Sequence, residues 1–177
     1  MAFKENEMNE LIQKIEQWAN DRNIIKGSKP IDQAMKLFSE FGELADNVGK
    51  GRDCRDDIGD VFVVLTIITK QHGDSIFDFL EESPWNYSHI EHKKDLVEYL
   101  CMSLALLSGE YSDNKAGDCI AILERLCDMH GYTLKECVQI AYDDIKNRKG
   151  IMSNGVFIKE SDPAYASIIA SIESNCE

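Results

Sequence analysis

SEFGELADNVGKGRDCRDDIGDVFVVL, residues 39–65, decides the fold: two helical segments joined by a short turn, each carrying a pair of carboxylates three residues apart. Residues at that spacing lie on nearly the same face of an α-helix, one turn above the other, so Glu40 with Glu43 and Asp57 with Asp60 can each grip one ion. Working back from Glu40, the apolar residues Ala34, Leu37, Phe38, Phe41, Leu44, Ala45 and Val48 recur at helical spacing and mark a core stripe over Pro30 to Val48. Glu40 and Glu43 fall off that stripe, on a polar strip with Lys36 and Asn47. Working forward, Ile58 to Ile68 is apolar on nearly every side, as expected of the helix at the centre of a bundle. Asp57 and Asp60 continue its inward row through Val61, Val64 and Ile68. The turn at Gly49 to Asp53 is short enough to fold the second helix back antiparallel to the first, which brings the two acid pairs face to face. Unpaired carboxylates at such positions cost several kcal/mol each or take up a proton, so a cation or a hydrogen-bond donor is the expected partner, and a metal would satisfy all four.

Each pair also has a plainer reading. Asp56 and Asp57 suit the first turn of a helix, where acids complement the dipole, and for Asp56 that is the preferred reading. Lys36 and Glu40 form an i,i+4 pair that on an open surface is worth little. Asp60 resists both readings, because it lies beyond the first positions of its helix and directly against the buried run.

A chain of 177 residues, 44% hydrophobic, suffices for one well-filled core. Its net charge of −13 disfavours direct nucleic-acid binding, which needs a basic patch, and disfavours an anionic membrane surface. The six cysteines, Cys54, Cys101, Cys119, Cys127, Cys137 and Cys176, show no metal-ligand rhythm and read as reduced core residues. No stretch has the length of a membrane span and the start MAFKENEMNE is unlike a signal peptide, so a cytoplasmic location is expected, in a bacterium or in a phage's host cell.

Elsewhere the periodicity predicts helices through Met8 to Trp18, Leu96 to Leu107, Cys119 to Cys127 and Val138 to Ile145, the last opened by a Thr133 and Glu136 capping pattern. Ile24 to Pro30 reads as a connector and Glu81 to Ser88 as an irregular excursion. Asn154 and Gly155 between short apolar stretches predict a small hairpin at 151–158, and Asp162 and Pro163 open a last helix with Ile168, Ile169 and Ile172 on one face. His89 and His92 sit beside Lys93 and Lys94 without further ligands, which favours an exposed turn over a zinc site. Lys146, Arg148 and Lys149 close a helix where bases stabilise the C-terminus, and the same cluster suits a polyanion. There is no P-loop, GxGxxG or GxSxG pattern.

The two acid pairs in SEFGELAD (39–46) and RDDIGDVFVVL (55–65) together resemble the MazG-like all-α nucleoside triphosphate pyrophosphohydrolases, whose motif is ExxE followed on the next helix by ExxD. The likeness extends to IIKGSKP (24–30) and to AYDDIKNRKGIMSNGVFIKESD (141–162), which looks like phage-encoded members of the group. Three departures stand out: Asp57 where the motif has Glu, with Asp56 as an alternative third ligand; Phe41 where many members place a second glutamate; and residues 74–130, which look like inserted helices. The resemblance implies a single all-α domain over 1–177, an antiparallel helix bundle with that insertion and a C-terminal extension, hairpin included, at 151–177. It implies magnesium, with manganese as a substitute, held by Glu40, Glu43, Asp57 and Asp60, with Glu40 or Glu43 orienting the attacking water. Lys36, Lys146, Arg148 and Lys149 would bind the triphosphate. The substrate would be a (deoxy)nucleoside triphosphate, dATP or dGTP from the phage likeness, cleaved to monophosphate and pyrophosphate by a homodimer. Trp18, Asn23, Phe41 and Trp85 are candidates for the base pocket. The alternatives are a dUTP- or dCTP-specific hydrolase on the same scaffold, a scaffold that has lost activity, and a non-catalytic acidic helical protein.

Overall fold

The computed structural model describes residues 2–80 and 87–174, so Trp85 and Cys176 lie outside the described residues. The chain is mostly helical, with one two-stranded hairpin: α1 (Ala2–Asp21), α2 (Ile24–Gly27), α3 (Pro30–Lys50), α4 (Arg55–Gln71), a 3-10 turn at Ile76–Phe79, α5 (Lys93–Gly109), α6 (Asp113–His130), α7 (Leu134–Ile145), β1 (Gly150–Ser153), β2 (Val156–Lys159) and α8 (Tyr165–Ser174). The all-α expectation therefore holds. Among the described residues no helix is long and apolar enough to cross a membrane.

α4 is the central element, as its sequence demands: Val61 to Thr69 is buried on every side. α7 packs most intimately on it, with α3 next to it and α1, α2 and α6 closing the remaining sides. Gly59 permits the α4 to α7 approach, since a Cβ there would meet the Cys137 carbonyl and lie 2.7 Å from Ala141 Cβ. α3 and α4 form the expected antiparallel hairpin: Asn47 near the end of α3 meets Asp57 at the start of α4, and Ser28 just before α3 meets Gln71 at the end of α4. The α5 and α6 pair is not a satellite. Leu96, Leu100, Leu104, Ile120 and Leu123 join the same continuous core as α1, α3, α4 and α7.

Three local readings change. Ile24 to Gly27 is a turn of helix rather than an open connector, closed by the Ser28 hydroxyl donating to the Ile24 carbonyl at 2.6 Å. Phe38, expected in the core, is 38% exposed. Glu40, expected off the core stripe, is 5% exposed and lies in the buried row Gln33, Leu37, Glu40, Leu44, because the bundle reaches further around α3 than its apolar residues do.

The hairpin pairs Gly150 with Lys159 through Ser153 with Val156 and is docked onto the corner between α1 and α2. The Met152 amide donates to the Arg22 carbonyl at 2.8 Å, Asn23 Nδ2 donates to the Met152 carbonyl at 3.0 Å, and the Gly155 amide donates to the Gly27 carbonyl at 2.9 Å. Arg22 completes the corner: its Nε and Nη2 donate to the carbonyls of Arg148 and Lys146, and its guanidinium lies 5.0 Å from the centre of the Trp18 ring.

Candidate active site

The α3–α4 hairpin, the end of α7 and the β-hairpin enclose a cleft of about 860 Å³. α3 contributes Asp32, Gln33, Lys36, Glu40 and Glu43; α4 contributes Asp60, Val63, Val64 and Ile67. The segment after α7 brings Arg148 and Lys149, and the hairpin brings Met152, Phe157 and Lys159, with Trp18 and Ile24 filling the remaining side. Because α3 and α4 run antiparallel, the lining is ordered along the cleft: Glu40 and Asp60 stand toward one end, Gln33 and Ile67 toward the other.

The acidic end is short of positive charge. Burial pushes the Asp60 carboxyl up to about 7, with Glu40 and Asp56 adding to the rise and Lys36 and Arg148 opposing it. Burial also raises Asp57, against the lowering effect of its Asn47 bond, and Asp56, Glu43 and Glu40 push in the same upward direction. Asp56, at the first turn of α4, is raised by lost hydration and then by Asp144 and Glu40, with Arg148 opposing. Glu40 thus adds to the rise of all three aspartates across the hairpin. Its nearest counter-charge is Lys36, whose ammonium pairs with it from one turn away.

The expected ligands are not equally placed. Glu40 and Asp60 line the cleft from facing helices, and Glu43 lines it while remaining exposed. Asp57 does not line it: its Oδ2 accepts from Asn47 Nδ2 at 2.7 Å, and Asn47 Oδ1 in turn accepts from Arg52 Nε at 2.6 Å. The third-ligand position is thus tied back toward the α3–α4 turn. Among the described residues no group of three or more acidic, histidine or cysteine side chains is set to hold a metal as it stands. The donor chemistry nonetheless suits a hard cation such as magnesium, which is content with a few carboxylates plus waters and phosphates. The Lys36 ammonium occupies the place of counter-charge that such an ion would take over.

The basic cluster divides. Arg148 and Lys149 line the cleft, paired on their outer sides with Asp144 and Glu160. Lys146 does not; it pairs with Asp143 at 2.7 Å on the exposed end of α7, and only its carbonyl serves the site, by receiving Arg22. In its place stands Lys159 on β2, one residue beyond the hairpin that the sequence predicts. Of the base-pocket candidates Trp18 lines the cleft, whereas Asn23 is spent on docking β1 and Phe41 packs half-buried against the core. Gln33 and the floor of Val63, Val64, Ile67 and Phe157 carry no signal in the sequence that separates them from ordinary core. His89 and His92 are exposed.

No family model matches the chain. An uncharacterized 18.2 kDa protein from the rep–hol intergenic region of Haemophilus phage HP1 (strain HP1c1) is 47% identical over 75 residues, 41% of this chain. The matched part is 46% of that protein, so the chain spans about half the length of the relative it matches. No solved structure matches.

Proposed function

We propose that the protein is a magnesium-dependent nucleoside triphosphate pyrophosphohydrolase of the MazG-like type, converting a (deoxy)nucleoside triphosphate, dATP or dGTP foremost, to the monophosphate and pyrophosphate. One observation carries the reading: a single cleft has carboxylates of two facing helices at one end, Arg148, Lys149 and Lys159 on its wall, and an apolar floor beside them. Acids without cations suit only a metal, and cations without acids suit only an anion. Side by side they suit a metal carrying a polyphosphate, with the floor left for a flat ring.

Glu40, Glu43 and Asp60 would hold magnesium, or manganese in its place, with Asp57 joining if Asn47 releases it. When bound, the ion supplies charge that acidifies a water and neutralises phosphate oxygens. Glu43, exposed beside buried Glu40, orients the water and takes its proton on a carboxylate oxygen. Attack of the water oxygen on the α phosphorus breaks the α–β anhydride bond, and pyrophosphate leaves. Arg148, Lys149 and Lys159 hold phosphate oxygens and offset the charge that develops on the leaving group. Lys36 keeps Glu40 compensated until the ion arrives.

The deciding experiment incubates purified protein with magnesium and each nucleotide in turn and identifies the products. Monophosphate plus pyrophosphate, abolished by Glu43→Ala or Asp60→Ala in folded protein, is the expected result. Diphosphate plus phosphate would overturn the cleavage position, and no turnover of any nucleotide would overturn the reading. Preference for dUTP or dCTP would move the substrate class within the same reaction.

A further inference from the structure

Gln33 is 5% exposed and still lines the cleft. Its amide is oriented by a saturated neighbour. The Ser28 hydroxyl, itself buried, has one hydrogen and two lone pairs. The hydrogen goes to the Ile24 carbonyl at 2.6 Å, and the oxygen accepts from Gln33 Nε2 at 2.9 Å and from Gln71 Nε2 at 3.1 Å. Gln71 Nε2 shares its two hydrogens among the Ser28 hydroxyl and the carbonyls of Ser28 at 3.1 Å and Ile25 at 3.3 Å, while its own carbonyl oxygen is buried without a partner. Flipping Gln33 would set its carbonyl oxygen against an oxygen with no hydrogen left to give. The Gln33 amide nitrogen is therefore held at Ser28, and its carbonyl oxygen is the atom left over for a ligand in the cleft.

Gln33 stands seven residues before Glu40 on the same helix, about 10 Å along the axis. That separates it from the acidic end by roughly the reach of a sugar and a base. Trp18, Ile24 and Ile67 line the same cleft and offer apolar surface to a ring. Gln33 Oε1 has no donor among the described residues and is not sealed from solvent, so it is open to exchange water for an N–H brought by a ligand.

We propose that Gln33 determines specificity in the cleft by accepting a hydrogen bond from an exocyclic amino group on the base, so that amino-bearing bases are preferred over their keto counterparts. The proposal rests on the nucleotide reading above and goes beyond it by choosing the edge of the base. A keto oxygen at that position would face the Gln33 oxygen acceptor to acceptor, and the fixed amide cannot turn to meet it.

The test compares dATP with dITP and dCTP with dUTP, pairs that exchange an amino group for a keto oxygen and the neighbouring ring acceptor for a ring N–H. It also includes the analogues of dATP and dCTP that carry hydrogen in place of the amino group and isolate its contribution. Wild-type protein should favour the amino member of each pair by about 10-fold or more in kcat/KM, the scale at which a site built for a hydrogen bond rejects a ligand lacking it. Gln33→Met, of similar length and without the acceptor, should bring the ratio to within about 3-fold. Ser28→Ala should do the same with Gln33 intact, because the amide is then free to turn; thermal melts confirm that both variants fold. A wild-type preference for keto bases, or a ratio unmoved in both folded variants, overturns the role of Gln33 while leaving the hydrolase reading standing. Failure of the wild-type protein to hydrolyse any nucleotide overturns both.

Discussion

Asp60 is the residue at which structure and function pull against each other. Its carboxyl sits against the buried run of α4, with Glu40 across the cleft, and burial pushes it up to about 7 from an ordinary value of 3.8. Between those two values the folded chain holds a proton that the unfolded chain has released. Stability of the metal-free protein therefore falls as pH rises from about 4 to 7 and levels off above. Asn at this position has no charge to bury. Asp60→Asn should stabilise the metal-free protein at pH 8 by on the order of 2 kcal/mol, below the full linkage value because the carboxyl partly faces solvent. In thermal melts that is a rise of ~5 °C at pH 8, shrinking toward zero by pH 4. An equal shift at both pH values would show that Asp60 is not the titrating group. Asp60 is legible in the sequence because an acid set inside an apolar run has to be matched by a cation, a donor or a proton. The fates of Glu40 and Asp57 are not. Periodicity places a side chain on a face but does not say how far the neighbouring helix reaches, which buries Glu40, nor that Asn47 ten residues earlier holds Asp57.

At the scale of elements, two glycines fix how the walls of the cleft meet. Gly59 lets α4 lie directly on α7, the contact that sets where Arg148 and Lys149 emerge. Gly59→Ala pushes a methyl into the Cys137 carbonyl and Ala141, a backbone obstacle that cannot rotate away, and should destabilise the fold by about 2–3 kcal/mol in denaturant unfolding. An unchanged midpoint would mean that α4 and α7 can part without loss. Gly155 acts locally: it turns the β-hairpin at φ +78, and a Cβ there would come within 2.7 Å of the Asp32 carboxyl. Gly155→Ala should loosen the hairpin that carries Phe157 and Lys159, seen as faster amide exchange at Met152 and Gly155 and a several-fold higher KM, with global stability changed by less than about 1–2 kcal/mol. Unaltered exchange at both amides would refute the docking. The hairpin itself can be read from Asn154 and Gly155 between apolar stretches. Its partner cannot, since the bond from Gly155 to the Gly27 carbonyl links segments with no common pattern. For that reason the sequence points to Lys146, two residues before Arg148 in the chain, rather than to Lys159, which lines the cleft with it.

Among the described residues, two adjoining helices of the molecule leave apolar side chains uncovered. Ile31, Met35 and Phe38 follow one line along α3, exposed at 61%, 67% and 38%, and Tyr99, Met102 and Leu106 follow a similar line along α5, which packs beside it. Six large apolar side chains on two adjoining helices exceed the scattered exposure normal for a monomer surface. At about 100° per residue, the Ile31, Met35 and Phe38 line points away from Gln33, Lys36 and Glu40, so α3 offers its acids to the cleft and its apolar side outward. A second copy joined there would stiffen α3 without entering the cleft. The chain should therefore self-associate. With a net charge of −13 on each copy, association should tighten as salt screens the repulsion. Met35→Glu with Met102→Glu, charges placed at exposed points of each line, should give monomers by light scattering at concentrations where the wild type is dimeric. Turnover per chain should stay within about 3-fold, because the substituted side chains are exposed and neither of them lines the cleft. A wild type that is monomeric at all concentrations would remove the interface, and folded monomers without activity would show that the cleft needs a partner's residue to be complete.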